Sequence, residues 1–168
     1  IPKNENTDKV GNYSFEFDGT ADRINCGNST ALQITGNQTI SAWVKTSDSS
    51  ATMFVVSKDD LTNRNYALVL VLDTTMKARY FIVKSNVLVN VTGTTDLADG
   101  DWHHIVGVND GTDLKIYVDG VLEGTNAGAG GTIDNDTVDL ELGRRGDNTL
   151  FFDGNISEVS IFNYALAS

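Results

Sequence analysis

The amino-acid sequence predicts an all-β fold built as a two-sheet antiparallel sandwich or jelly roll, and three observations support this prediction. Residues 101–124 contain three strand-like runs joined at 109–111 and 119–120 by Asp-Gly turns, which suit tight hairpins because glycine readily adopts positive φ. Apolar and polar residues alternate over 113–119, so this strand has one buried and one solvated face. The whole chain reads as about a dozen short strands, with no helical periodicity longer than a turn. Hairpin strands of this kind need a second sheet over their apolar face.

The other strand-like runs are bounded by Gly, Asn, Asp and Ser residues, which are typical of turns. Phe15 and Phe17 alternate with polar residues in the first run. Ile24 and Cys26 share one face of the second run, which predicts a buried thiol. Residues 66–72 are apolar on both faces, so this strand is expected in the interior of a sheet. The predicted strands are 14–18, 23–26, 39–45, 52–57, 66–72, 78–83, 87–92, 102–108, 113–119, a strand beginning at 121, 138–142 and 151–162.

Size and charge limit the function classes. The chain has 168 residues, enough for one domain with a sizeable core, which we assign to residues 13–168. Residues 1–12 are polar and contain the only proline, so we interpret them as a flexible N-terminal arm or linker. The net charge of −11 argues against nucleic acid or an anionic membrane as partner, because both need clustered Lys and Arg. No apolar run reaches the length of a membrane span, so membrane insertion is not expected.

Three segments resemble one known family. They are Trp-His-His-Ile-Val at 102–106 with Leu-x-Ile-Tyr-Val-Asp-Gly at 114–120, the opening segment 13–27, and the closing segment 152–166. In this order they resemble the laminin-G-like, concanavalin A-like jelly-roll family. The resemblance implies a jelly-roll sandwich over most of the chain. One fold hosts many functions, so the ligand has to be argued from a site.

The sequence gives no sign of a catalytic centre. Hydrolysis of a glycosidic bond needs two carboxylates facing it, and hydrolases with the fold of this family carry them in a Glu-x-Asp-x-x-Glu strand, which is absent here. Asp139 and Glu141 come nearest, but the third member is missing. His103 and His104 are adjacent and therefore point to opposite faces of a strand, and the resemblance implies a structural role for them. We therefore expect no enzymatic activity.

Calcium is the one cofactor that the sequence suggests. Ca²⁺ takes several oxygen ligands, usually from converging loops. The segment 65–70 resembles the laminin-G strand whose leading acidic residue helps to bind a calcium at the rim, and the loop around 134–136 precedes the strand where such domains place a second ligand. The candidate ligands are Asp59, Asp60, Asn65, Asp134 and Asp136.

The wider family also holds a structural ion between its first and last strands. The candidate ligands here are Asp18, Asp22 and Asp153. Ser157 stands where the closing motif of the family has Asp, and a neutral hydroxyl is a poor ligand, which weakens this second prediction.

A sugar-binding site needs aromatic surfaces and planar polar groups. Trp43 and Trp102 sit at positions that the family uses for its core, so we interpret both as packing residues. Arginine side chains on neighbouring loops would bind hydroxyls or a sugar carboxylate in a bidentate way. The candidate carbohydrate-binding residues are Arg64, Tyr66, Tyr117, Arg144, Arg145 and Asn148. The tripeptide Arg-Gly-Asp at 145–147, an integrin-recognition sequence, falls in the same predicted loop.

These observations favour a non-catalytic binding module, secreted or displayed on a cell or virus surface. A glycan or polysaccharide is the leading ligand class, with calcium as a candidate helper. The alternative is a structural or protein-binding module of a virion, fibre or adhesin, with protein neighbours in a larger assembly. A glycoside hydrolase or lyase on the same fold ranks third.

Overall fold

A computed structural model of the chain describes residues 13–166. The arm predicted at 1–12 lies outside the described residues. The strands are β1 (Phe15–Asp18), β2 (Ile24–Gly27), β3 (Gln38–Lys45), β4 (Met53–Asp59), β5 (Arg64–Asp73), β6 (Thr75–Lys84), β7 (Val87–Thr92), β8 (Trp102–Asn109), β9 (Leu114–Val118), β10 (Val121–Asn126), β11 (Leu140–Leu142) and β12 (Asp153–Phe162), with a short 3-10 helix at Thr30–Leu32.

The strands form two antiparallel sheets of six, as a jelly-roll sandwich requires. Sheet A has the order β1-β12-β3-β8-β9-β10, and sheet B has the order β2-β11-β4-β5-β6-β7. The chain therefore crosses repeatedly between the sheets, and its first and last strands pair side by side in sheet A. This confirms the predicted fold class. Within the described residues, no helix is long and apolar enough to cross a membrane.

The main core lies between the sheets and is built from one face of most strands. Tyr66 and Tyr80 are fully buried there, and each hydroxyl has an acceptor: the Leu32 carbonyl for Tyr66, at 2.9 Å, and Oε1 of Gln38 for Tyr80. Burial raises the pKa of both phenols, so both remain neutral donors. Gly107 lies against the Tyr80 ring, where a Cβ would come within 2.4 Å of Cγ. A side chain at this position would therefore push the ring aside.

A second apolar cluster covers the outer face of sheet B. It consists of Phe54, Ala67, Val69, Phe81 and Val83, with Leu88 and Leu150 packed against it. The cluster exists because β5 is apolar on both faces, as expected for an interior strand. β5 indeed lies between β4 and β6. A sheet with two apolar faces needs covering on its outer side, and loops that pack on this face are thereby held in place.

The interpretation of Cys26 as a buried thiol was wrong. Cys26 is exposed, because an extra residue in β2 breaks the alternation: Leu140 pairs with Gly27, and the next residue, Glu141, pairs with Asn25. Trp43 is buried, in agreement with its interpretation as a packing residue, and it lies on the outer face of sheet A, where its ring is 5.1 Å from that of His104.

Candidate functional site

Two loops meet beside the outer face of sheet B, one joining β4 to β5 and the other joining β11 to β12. The amide of Gly146 donates to the carbonyl of Asp59 at 2.9 Å, and a Cβ on Gly146 would lie 3.1 Å from that oxygen. This close approach favours glycine at position 146, because a side chain there would have to displace its neighbours slightly. It gathers four of the predicted sugar-binding residues, which we call the arginine corner: Arg64, Arg144, Arg145 and Asn148.

The guanidinium group of Arg64 is fixed in position by a carboxylate and an aromatic ring. Its Nε and Nη2 donate to the fully buried carboxylate of Asp59 at 2.8–3.1 Å. Its guanidinium carbon lies 5.6 Å from the centre of the Phe81 ring. A bidentate ion pair over a ring fixes the guanidinium plane, while the side chain remains 29% exposed.

Arg145 repeats this arrangement with different partners. Its Nε and Nη2 donate to the two oxygens of Asp147 at 3.0 and 2.8 Å, and the group lies 5.8 Å from the centre of the Phe54 ring. The hydrogen bond from Arg145 lowers the pKa of Asp147, so this carboxylate stays ionised near neutral pH. The Phe54 and Phe81 rings contact each other edge to face at 6.2 Å. The two guanidinium groups thus rest on one continuous aromatic surface.

One nitrogen of each guanidinium group makes no hydrogen bond within the described residues. Among the described residues, no hydrogen bond involves Nη1 of Arg64 or Nη1 of Arg145. Each Nη1 carries two N–H donors in a plane fixed by the other contacts.

Arg144 and Asn148 support the loop from beneath. The Arg144 side chain is buried, its Nε and Nη2 donate to the buried carboxylate of Glu141, and its Nη1 donates to Oδ1 of Asn148. Asn148 and Leu150 both have left-handed backbone, with φ of 62° and 55°. Such a conformation costs a non-glycine residue roughly 1–2 kcal/mol. Leu150 is kept there because it packs on the outer cluster and its carbonyl accepts the amide of Phe54.

The structure does not bring the two predicted tyrosines to the arginine corner. Tyr66 is fully buried in the core, so its assignment to a sugar-binding surface was wrong. The sequence held the signal, because Tyr66 shares its face of β5 with Leu68 and Leu70. Tyr117 is half-buried on the outer face of β9, which belongs to sheet A. Phe54 and Phe81 were not among the predicted residues; they lie at outward positions between inward-facing neighbours.

A pocket of about 400 Å³ lies next to the arginine corner, at the ends of the strands. Its wall includes Leu150, which also packs on the outer cluster beneath Arg145. The other lining residues are Asp18, Gly19, Thr20, Asp48, Ser50, Ala51, Thr52, Phe151 and Asp153. The pocket therefore offers carboxylates, hydroxyls and one aromatic ring, and it shares Leu150 with the outer cluster on which Arg145 rests.

Sequence comparison identifies the family. Residues 18–168 match the family model described as the concanavalin A-like lectin/glucanases superfamily. The chain belongs to this superfamily. A comparison with characterised proteins by sequence gave no significant match.

Solved structures from lectin-like and laminin domains share the fold. The CBM40 of the Ruminococcus gnavus IT-sialidase has 13% identity and a TM-score of 0.70, over 92% of this chain and 94% of that chain. The same CBM40 bound to α2,3 sialyllactose gives 13% identity and a TM-score of 0.69, over the same shares. Domains LG4-5 of the mouse laminin alpha1 chain give 17% identity and a TM-score of 0.69, over 99% of this chain and 47% of that chain. This chain thus spans less than half of the laminin structure. At identities this low, the structural similarity shows a common fold and nothing more.

The carboxylates that came nearest to the glucanase pattern of the superfamily are both bound to other side chains. Glu141 is buried, and its oxygens accept hydrogen bonds from Arg144. Asp139 is exposed and accepts Nδ2 of Asn25 at 3.0 Å, and the same nitrogen lies 3.4 Å from Oε1 of Glu141. One carboxylate is thus tied into an internal ion pair, which does not suit the two-carboxylate chemistry of glycoside hydrolysis.

Two of the predicted calcium ligands do meet at the rim of this superfamily fold, but they bind each other. Oδ1 of Asn65 accepts the amide of Asp136 at 2.8 Å, and Nδ2 of Asn65 donates to the carbonyl of Asp136 at 3.1 Å. Asn65 is buried, so both ends of its amide serve this reciprocal contact.

The remaining candidate ligands already accept hydrogen bonds from protein donors. Asp59 binds Arg64, while Asp60 accepts the amides of Thr62 and Asn63. Asp134 accepts the backbone amides of the turn between β6 and β7, at 2.7 and 2.8 Å. No group of three His, Cys, Asp or Glu side chains in the described part of the chain is placed to hold a metal. These donors do not fit a calcium ion, which takes six to eight oxygens.

The candidate ligands for a second ion form hydrogen bonds within the protein, chiefly in the turn between β1 and β2. Oδ1 of Asp18 accepts the amides of Thr20, Ala21 and Asp22, and these bonds lower the pKa of Asp18 well below its usual range. Ser157, at the place where the family has Asp, donates its hydroxyl to the Tyr13 carbonyl at 2.8 Å. Asp153 lines the pocket described above.

The adjacent histidines have the structural roles that the resemblance implied. His103 is buried, with Nδ1 2.8 Å from Asp119 and Nε2 3.2 Å from Asp99. It ties the start of β8 to the turn between β9 and β10. His104 lies on the opposite face against Trp43.

Proposed function

We propose that this chain is a non-catalytic carbohydrate-binding module that holds its glycan at the arginine corner. The observation that carries the proposal is the pair of guanidinium groups, each locked by a carboxylate and resting on an aromatic ring. We place the module outside the cell, secreted or displayed on a cell or virus surface, because the fold is that of laminin-G and lectin-like domains.

The chemistry of the corner suits a sugar. Each Nη1 presents two N–H donors in a fixed direction, matching neighbouring hydroxyls or one carboxylate. Because the planes are already fixed, binding costs little side-chain entropy. The flat guanidinium faces suit the flat face of a sugar ring, and the pocket beyond Leu150 offers acceptors for further hydroxyls. The similar CBM40 structure with α2,3 sialyllactose makes an acidic glycan the first ligand to test.

Calorimetry with α2,3 sialyllactose and with lactose tests the proposal. We expect the sialylated sugar to bind, and Arg64→Ala and Arg145→Ala each to weaken binding tenfold or more, the usual size for a hydrogen bond to a charged group. Lys115→Ala is the matched control, because it removes the cation of another surface ion pair, with Asp110 in sheet A. A glycan that binds both arginine variants as tightly as the parent chain would place the site elsewhere.

A second function, protein binding, is favoured by the edges of sheet A. Phe15 on edge strand β1 is 63% exposed, and Val121 and Leu122 on edge strand β10 are 63% and 49% exposed. Exposed apolar edge strands offer unpaired backbone groups to a neighbouring chain, as in a fibre, virion or adhesin. A monomer at high concentration by light scattering would speak against self-association through these edges.

A further inference from the structure

Lys58 is a fully buried cation at the rim of sheet B. Its side chain runs from β4 to a place where Nζ donates to Oδ1 of Asn28 at 2.6 Å and to the carbonyl of Val138 at 2.5 Å. Lysine is almost never fully buried unless it is paired, because its ammonium loses its hydration. Lys58 must therefore have a structural purpose.

The surroundings of Nζ resemble the coordination sphere of a cation. An amide oxygen and a backbone carbonyl contact it directly, and the carboxylates of Asp136 and Asp139 act on its charge. Burial lowers the pKa of Lys58, while the two carboxylates oppose that shift. Carbonyl, amide and carboxylate oxygens together are the ligand types that hard cations take.

The loop around 134–136, implicated by the resemblance in a rim calcium, leads directly to Val138, whose carbonyl accepts from Lys58. Asn65, where laminin-G domains have an acidic ligand, is bound to the backbone of Asp136, two residues before the carbonyl that holds Lys58. An ammonium carries one charge where calcium carries two, so it needs fewer carboxylates around it. A neutral asparagine at position 65 fits that lower charge.

We propose that the Lys58 ammonium takes the place of the rim calcium in this chain. It joins three parts of the rim, namely the loop before the 3-10 helix at Asn28, strand β4, and the segment that leads to β11. The rim then keeps its structure without a divalent ion, because like charges exclude a second cation from the same oxygens.

Calcium titration of the unmodified chain is the direct test. We expect the same unfolding temperature in millimolar Ca²⁺ and in EDTA, and no binding heat on calorimetric titration with CaCl₂. A rise of several degrees in Ca²⁺, abolished by Asp136→Asn, would overturn the proposal. We also expect glycan binding to be unchanged by EDTA, an expectation that rests on the proposed function. If no glycan binds in either buffer, the proposed function fails. The comparison of unfolding temperatures still tests the role of Lys58 in that case.

A pair of variants tests whether Lys58 fills a cation position. The double variant Lys58→Ala/Asn65→Asp removes the ammonium and places a carboxylate at position 65. We expect its unfolding temperature to rise by several degrees in Ca²⁺. Asn65→Asp alone keeps the ammonium and should not respond. An equal response of the two variants, or no response of a folded double variant, would contradict the proposal. Should the double variant not fold, the titration of the unmodified chain decides.

Discussion

Nη2 of Arg145 lies 2.8 Å from Oδ2 of Asp147, the carboxylate only two residues further along the chain. The Arg-Gly-Asp tripeptide is therefore closed upon itself, with its guanidinium over the Phe54 ring and its glycine against the backbone of Asp59. An integrin ligand has to offer its arginine and aspartate to a partner. Here the two charges bind each other, and the ion pair fixes the plane of the Arg145 guanidinium.

Asp147→Asn tests that positioning role. The amide keeps the size of the carboxylate but loses its charge, so Arg145 loses the ion pair that fixes its plane. We expect the affinity for α2,3 sialyllactose to fall about tenfold, while the free energy of unfolding changes by less than about 1 kcal/mol, as is usual for a surface ion pair. Calorimetry and urea unfolding give the two values.

The control for this prediction is Asp110→Asn, which breaks the ion pair with Lys115 on the other sheet. It should leave glycan affinity unchanged. If Asp147→Asn lowers affinity only in proportion to a large loss of stability, the carboxylate supports the fold in general and does not position Arg145.

Tyr66→Phe tests the assignment of this residue to the core. The variant removes the hydroxyl that donates to the Leu32 carbonyl and leaves that carbonyl without its partner. We expect a loss of about 1 kcal/mol in the free energy of unfolding, measured with urea, and an unchanged glycan affinity. If the variant keeps near-normal stability but loses glycan binding, Tyr66 belongs to the binding surface and the assignment to the core is wrong.

The fold was predictable because its signals are local. Alternation over Leu114, Ile116 and Val118 and the Asp-Gly turns define hairpins, and a one-faced hairpin sheet needs a partner sheet. Cys26 was placed wrongly because a single extra residue in β2 reverses the face, and the alternation itself does not reveal a bulge.

The candidate site was predictable only in part. Arg64 and Arg145 were chosen as loop arginines, and the structure places them together because Gly146 packs on Asp59. The aromatic rings beneath these arginines could not be predicted from the sequence. Phe54 and Phe81 are 27 positions apart and meet only through the register of β4, β5 and β6. Lys58 escaped notice because a charged residue in a strand is normally solvated, and only tertiary packing shows that this one is buried.

Gly107→Ala tests the packing of the main core. A Cβ at this position would lie 2.4–2.6 Å from atoms of Tyr80, which is fully buried and cannot move outward. We expect the free energy of unfolding to fall by about 1–3 kcal/mol, the usual cost of overpacking. Gly36→Ala is the matched control, because a Cβ there meets nothing within 4 Å. Equal stability of the two variants in urea would show that the core around Tyr80 is less tightly packed than described.

Asp110 should contribute to stability in a pH-dependent way. Hydrogen bonds from the backbone amide of Asp113 and then from the Lys115 ammonium lower its pKa from 3.8 to about 2. Because the folded state binds this proton more weakly than the unfolded state, the contribution is complete above pH 3.8 and is lost as the pH falls towards 2. We therefore expect Asp110→Asn to lower stability at neutral pH and to make the decline between pH 3.8 and 2 shallower than in the parent chain. Urea midpoints across this range give the comparison, with Asp73→Asn, in the exposed pair with Lys77, as control. Parallel curves for Asp110→Asn and the parent chain would show that other carboxylates govern acid unfolding.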